Sequence, residues 1–308
     1  MPKHMTEEYV PINGIFQYFL HIQNPSKDVM IMLHGGPGLA NSYLAYYQEP
    51  YLDFCNVVYY DQRGAGKTQL KNEIRPEGLS VDVLLEDLRQ TIAYIKQKYE
   101  TDRVFLVGHS WGTMLGTQYI LQYPQDVTGY IGYGQVVSQA AEDTVWYEYL
   151  KAAVLKSGNQ ENRKILAGVS ENFPHVDREA YFKEYAVLFG LSLQYDYMVN
   201  DVFEIYSKSP IWTAEDEILS NEIEAFNKKL YDEVLFGYDV SNVKEYQLPI
   251  YYVLGRYDEM TSSKIAAAYF ETITAPKKGL YWIEDAGHLV DTDNPSAFFK
   301  VIKEILAQ

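Results

Sequence analysis

One serine is bracketed by glycines at the junction of two unlike segments, Gly108-His109-Ser110-Trp111-Gly112. Residues 103–107 form an apolar run that predicts a buried strand, and residues from 111 to about 123 carry a helical pattern that stops before Pro124. A strand that passes at once into a helix leaves room for only one tight turn, and the flanking glycines admit it. That turn holds the serine in a strained conformation with its Oγ exposed. The helix N-terminus beside it favours a developing negative charge.

The rest of the chain repeats this alternation. Residues 8–23 read as a hairpin about Asn13-Gly14, and 29–33 and 56–60 read as buried strands. Ser80 is placed to cap a helix reaching about residue 99, with Val83, Leu84, Leu88, Ile92 and Ile95 spaced for one face. A strand lies within 127–137, another at 250–254 and a last one at 279–283, with helices near 262–273 and from about 295. Such alternation predicts a mainly parallel sheet with helices on both faces. It pauses over 138–245, where helical patterns predominate. The expected organisation is a core of residues 1–137 and 246–308 with an inserted helical cap, 138–245.

Composition narrows the function. The net charge is −16, with the insertion holding 20 acidic against 10 basic residues. That balance argues against nucleic acid and against an anionic membrane surface as partners. No apolar run approaches the length of a membrane span and no leader pattern opens the chain, so a cytoplasmic location is expected. The one cysteine, Cys55, lies in an apolar stretch and reads as core filler. Scattered histidines and the absence of an H-E-x-x-H pattern leave no metal site, and no cofactor is called for.

A serine hydroxyl needs a base and an orienting carboxylate to act as a nucleophile. His4 is terminal, His21 ends the hairpin, His34 opens a glycine-rich loop, His109 sits inside the pentapeptide and His175 lies in the insertion. His288 follows the last strand, in a loop at the sheet's top, and is the expected base. Asp258 trails the preceding strand by a few residues and is the expected acid. Asp285 and Asp291 are poorer choices, since neither ends a separate strand. His34-Gly35-Gly36-Pro37-Gly38 suits a loop that turns backbone N–H groups toward an oxyanion, with the Trp111 N–H as the second donor. Gly64-Ala65-Gly66-Lys67-Thr68 imitates the end of a phosphate-binding loop. Asp61 stands where that motif needs glycine, and the polar 69–78 stretch with Pro76 does not predict the helix that should follow. Arg63 reads as a structural tie beneath the active site.

Together HGGPG at 34–38, DQRG at 61–64, GHSWG at 108–112, GRYD at 255–258 and AGH at 286–288 resemble the α/β-hydrolase fold. Within it they are similar to the proline iminopeptidases, serine peptidases that release an N-terminal residue. The resemblance implies a Ser110–Asp258–His288 triad, oxyanion N–H groups from Gly36 and Trp111, and a cap over the site. It also implies carboxylates for the substrate's free amine: Glu259, directly after Asp258, and Glu233 from the cap. Met260-Thr261-Ser262 stands where family members often carry proline. The expected activity is cleavage of short peptides or amino-acid amides with a free N-terminus. A carboxylesterase or lactonase shares the same triad without needing the amine, and a non-catalytic ligand receptor is a third reading.

Overall fold

The computed structural model describes residues 4–26, 28–72, 74–174, 177–235 and 237–308. His175 lies outside them. Strands β1 (Met5–Ile12) and β2 (Ile15–Ile22) form the hairpin about Asn13-Gly14, both residues at positive φ. They are followed by β3 (Val29–Leu33), β4 (Asn56–Tyr60), β5 (Val104–His109), β6 (Val127–Tyr133), β7 (Ile250–Gly255) and β8 (Lys278–Ile283). All eight make one sheet in the order β1-β2-β4-β3-β5-β6-β7-β8. β1 and β2 pair antiparallel, as do β2 and β4, and every later pairing is parallel.

Parallel strands require helices on both faces, and the strand side chains alternate accordingly. Ile31, Leu33, Val58, Tyr60 and Leu106 point to one face, where they pack with Leu88, Ile92, Leu115 and Tyr119. Met30, Met32, Val57, Tyr59 and Val107 point to the other, against Phe298, Ile302 and Ile305. Helices Val81–Lys98 and Trp111–Gln122 cover the face of Ile31 and Leu33, and Pro295–Leu306 covers the opposite face. Ser80 caps the first, accepting from the Val83 N–H at 3.3 Å. Cys55 is fully buried, and burial pushes its thiol pKa up, as suits core filler.

The chain order reverses between β3 and β5: β4 lies outside β3, and β6 outside β5. At such a switch point the loops leaving the two strands diverge and open a crevice at their carboxyl ends. The loop 34–38 leaves β3 there, and Ser110 directly follows β5.

Between β6 and β7 the described segments are helical: Gln139–Ser157, Gln160–Leu166, Arg178–Tyr195, Val202–Ser207, Ala214–Phe226 and Lys228–Leu235. They carry a separate small core about Trp146, Leu150, Val154, Tyr181 and Leu188. One expectation fails here. A helix, Gly66–Asn72, does follow the Gly64–Thr68 stretch despite its polar sequence. Asp61 braces its first turn, accepting from Thr68 Oγ1 at its carbonyl at 2.7 Å and from the Lys67 N–H at Oδ2 at 2.8 Å, and the Tyr18 N–H of β2 donates to Thr68 Oγ1 at 2.9 Å. Lys67 Nζ is ion-paired with buried Asp216 of the insertion, so the lysine is committed to a carboxylate. Arg63 is a tie, though to the hairpin and a helix: it donates twice to Asp87, at 2.7 and 2.9 Å, and once to the Asn13 carbonyl at 2.9 Å.

Candidate active site

Ser110 has φ 50° and ψ −119° at the head of helix Trp111–Gln122, a conformation that non-glycine residues rarely adopt. The surrounding backbone enforces it. The Ser110 N–H donates to the Tyr133 carbonyl of β6 at 3.2 Å, and its carbonyl accepts the Thr113 N–H at 2.8 Å and hydroxyl at 2.7 Å. A Cβ on Gly112 would stand 2.2 Å from the Leu33 carbonyl oxygen, and one on Gly108 would stand 2.7 Å from that of Gly112. Both contacts are with backbone, which has no rotamer to yield. Gly112→Ala is therefore expected to destabilise the fold by about 3 kcal/mol, at the upper end of overpacking costs. A fall in the urea midpoint monitored by circular dichroism checks it.

His288 Nδ1 lies 3.1 Å from Asp258 Oδ2, which fixes the tautomer with the proton on Nδ1. Asp258 is buried just beyond β7, and Thr261 secures both its oxygens. The Thr261 N–H donates to Oδ1 at 3.0 Å and the hydroxyl to Oδ2 at 2.9 Å. The same hydroxyl lies 3.1 Å from His288 Nδ1, so it also accepts a share of that proton. Sequence reasoning missed Thr261. The signal was the Asp-x-x-Thr spacing, which lets a short polar side chain reach back to its neighbour.

His288 comes from the loop after β8, and its carbonyl accepts a hydrogen bond from His109 Nε2 at 3.1 Å. The His109 ring lies 4.8 Å from that of His288 and stacks on Tyr133 at 4.6 Å. Ser110 and His288 are thus neighbours across the His109 contact, and both are partly open to solvent. No hydrogen bond joins the Ser110 hydroxyl to His288 among the described residues. Burial alone would lower the His288 pKa, but the charge and hydrogen bond of Asp258, then the charges of Asp196 and Asp293, outweigh it and the net shift is upward. Other histidines are ill suited to act as base. Burial holds His21 and His34 near a pKa of about 4, and His109 is driven well below the ordinary value.

The loop 34–38 is braced from below. His34 Nδ1 donates to the Gly35 carbonyl at 2.8 Å, and its Nε2 accepts the Gln62 N–H at 3.0 Å. Gln62 in turn accepts from Trp111 Nε1 at 2.9 Å. Gly36 holds φ 109°, which L side chains rarely adopt. The loop that carries Gly36 is thus tied through His34 and Gln62 to the Trp111 side chain, and a Cβ on Gly35 would stand 3.3 Å from that of Ser110.

The two amine-binding candidates fare differently. Glu259 lines a cleft of about 380 Å³ with Tyr149, Tyr195, Asp196, Tyr197, Met198 and Tyr257. Its carboxylate is ion-paired with Lys264 at 2.7 Å. Glu233 is not brought to this cleft. It is exposed, and its Oε1 accepts the Val81 N–H at 3.2 Å, at the start of a core helix whose free N–H groups attract a carboxylate. The insertion offers two other acids instead. Asp196 lines the cleft beside Glu259; its Oδ2 accepts from Trp146 Nε1 at 3.2 Å, while its buried Oδ1 has no hydrogen-bond partner among the described residues. Burial pushes its pKa up to about 7 against the lowering effect of the Trp146 hydrogen bond, with the charges of Asp258 and Glu259 adding smaller upward contributions and that of His288 opposing them. Glu142 is buried and accepts the Ser262 N–H at 2.6 Å, beside the Asp258 turn. No pattern in the sequence distinguishes either acid from the many others in the insertion. Among the described residues, no cluster of His, Cys, Asp or Glu could hold a metal ion, and no helix could cross a membrane.

A switch-point crevice with a strained serine at one strand end and an Asp–His pair at two others defines the α/β-hydrolase class. A family model described as alpha/beta hydrolase fold matches residues 28–295, and the chain belongs to that family. It is 24% identical to a probable aminopeptidase, YbaC, of Bacillus subtilis (strain 168), over 95% of this chain and 91% of that one. It is 25% identical to a proline iminopeptidase of Heyndrickxia coagulans, over 98% of both chains. The crystal structure of a proline iminopeptidase from Mycobacterium smegmatis superposes with a TM-score of 0.67, at 18% identity and 98% coverage of both chains. The family and these relatives support a hydrolase and resemblance to the proline iminopeptidases.

Proposed function

We propose that the chain is a serine hydrolase acting through an acyl-enzyme, and that its substrates are small amides with a free N-terminal amine. The observation that carries this reading is the Asp258–His288 pair, 3.1 Å apart, next to a serine held at φ 50°. His288 takes the Ser110 proton as Oγ attacks the substrate carbonyl. The Gly36 and Trp111 N–H groups receive the oxyanion, Asp258 holds the imidazole in its working tautomer, and His288 then activates water to release the acyl group. Residues 138–245 act as a cap and residues 1–137 with 246–308 as the core. An ammonium group taken out of water must be paired. Glu259 and Asp196 supply carboxylates, and the surrounding tyrosine rings favour a cation. Asp196 takes the place that sequence reasoning gave to Glu233.

Parallel assays of prolyl and alanyl arylamides, their N-acetylated forms and a short-chain aryl ester test the reading. Amide cleavage that needs the free amine supports it; ester cleavage alone refutes the peptidase part. Glu259→Gln and Asp196→Asn are each expected to raise KM for the free-amine arylamide about tenfold, the cost of one charge-assisted contact. The aryl ester should respond by less than about twofold if the loss is specific to the amine.

One observation favours the esterase or lactonase reading. Lys264 already partners Glu259, which leaves the cleft less free negative charge for an amine.

A further inference from the structure

The segment 196–200 of the helical insertion is seated directly on the loop that carries His288. Asp293 joins the two. Its Oδ2 accepts the Gly287 N–H at 2.8 Å, immediately before His288, and its Oδ1 accepts the Val199 N–H of the insertion at 2.7 Å. Asn200 Nδ2 donates to the Thr292 carbonyl at 2.7 Å alongside. The Tyr197 ring packs on Tyr257 with centroids 4.7 Å apart. The backbones approach so closely that a Cβ on Gly287 would stand 2.1 Å from the Tyr197 carbonyl oxygen.

We propose that Asp293 is a positioning residue that couples the seating of the insertion to the placement of His288. The carboxylate accepts the Gly287 N–H from the loop and the Val199 N–H from the insertion, with the Asn200 backbone also directed at it, so the loop and the insertion segment are held by the same group. Withdrawing the insertion strips Asp293 Oδ1 of its donor and removes the Tyr197 backbone from Gly287. The base is then fully located only when the insertion is seated. This rests on His288 being the base, and not on the choice between amide and ester substrates.

The charged and titratable groups facing His288 come from four places: Asp258 beyond β7, Asp196 in the insertion, Asp293 after the His288 loop, and His109 before Ser110. Asp293 adds to the upward shift of His288. Its neutralisation therefore lowers the pH at which His288 takes up a proton, whereas a change at Asn200 leaves the charge as it was.

The test measures aryl-ester turnover across pH in wild type, Asp293→Asn and Asn200→Ala, with active sites counted by stoichiometric fluorophosphonate labelling. In Asp293→Asn an amide N–H faces a backbone N–H, so one of the two bonds is lost whichever way the side chain turns. The expected result is a fall in kcat per labelled site of about 10- to 100-fold, the range for a catalytic group displaced by a fraction of an ångström to about one ångström. KM should stay within about twofold, and the acid limb of kcat/KM should move to lower pH. Asn200→Ala removes one contact on the insertion side, and kcat per site should fall about fivefold with no movement of the acid limb. Unchanged kcat per site in both variants overturns the proposal. A loss in Asp293→Asn with none in Asn200→Ala overturns the coupling. If Asp293→Asn fails to fold, Asn200→Ala decides alone by the same criterion. Full activity in Ser110→Ala or Asp258→Asn would mark failure of the underlying triad reading instead.

Discussion

Ser110→Ala is expected to lower kcat by about 10⁴-fold or more on any substrate the wild type turns over, with the fold intact. The size follows from the loss of the attacking atom; only binding and the oxyanion donors remain to assist water. Stability should barely change, because alanine carries the same Cβ and meets the same constraint at φ 50°. The backbone bonds from Ser110 to Tyr133 and Thr113 do not involve the hydroxyl proton, so they persist. Steady-state rates on arylamide and aryl ester, with thermal unfolding alongside, check both halves. Activity within tenfold of wild type would remove Ser110 from the chemistry.

Asp258→Asn is the second large effect, about 10³- to 10⁴-fold in kcat. Thr261 donates to both Asp258 oxygens, through its N–H and its hydroxyl, and His288 donates as well. Asparagine has one oxygen for three donors. Its amide nitrogen turned toward His288 makes Nδ1 the acceptor, which moves the ring proton to Nε2, the nitrogen that must receive the serine proton. The pH profile carries a second signature. His288 is raised above its ordinary value of about 6.5, chiefly by Asp258 against the opposing effect of burial. The base works when neutral, so in wild type kcat/KM is lost as pH falls through a value above that figure. With the carboxylate neutralised, its upward contribution is lost while the effect of burial remains, so the acid limb should move to lower pH. A variant whose acid limb stays in place would show that Asp258 does not face the working imidazole.

The strand ends were easy to read because they are written in short apolar runs. Val29–Leu33 and Asn56–Tyr60 are fully buried strands at the bounds their composition suggests. The turn at Ser110 was equally legible, since only glycine fits where Gly108 and Gly112 meet neighbouring backbone. Helix Gly66–Asn72 was not, because it is also tied to Tyr18 of β2 and to buried Asp216 of the insertion, which a local pattern cannot contain. Glu233 illustrates the same limit. The resemblance implied it as a carboxylate for the substrate's amine, yet its Oε1 accepts the Val81 N–H of a core helix.

The sequence by itself determined the alternating sheet, the strained serine and the chemical types that face it. Each is a local property: periodicity, glycine sterics, the acid–base character of a side chain. Only the tertiary structure decided which acids of the insertion come near His288. Asp196 and Glu142 meet the Asp258 and His288 loops through charge and a hydrogen bond across large sequence separations, and Asp293, from the core, holds the distant Val199 N–H together with that of Gly287. An acidic residue looks the same in sequence whether it ends in water, on a helix N-terminus or beside His288, and packing alone distinguishes them.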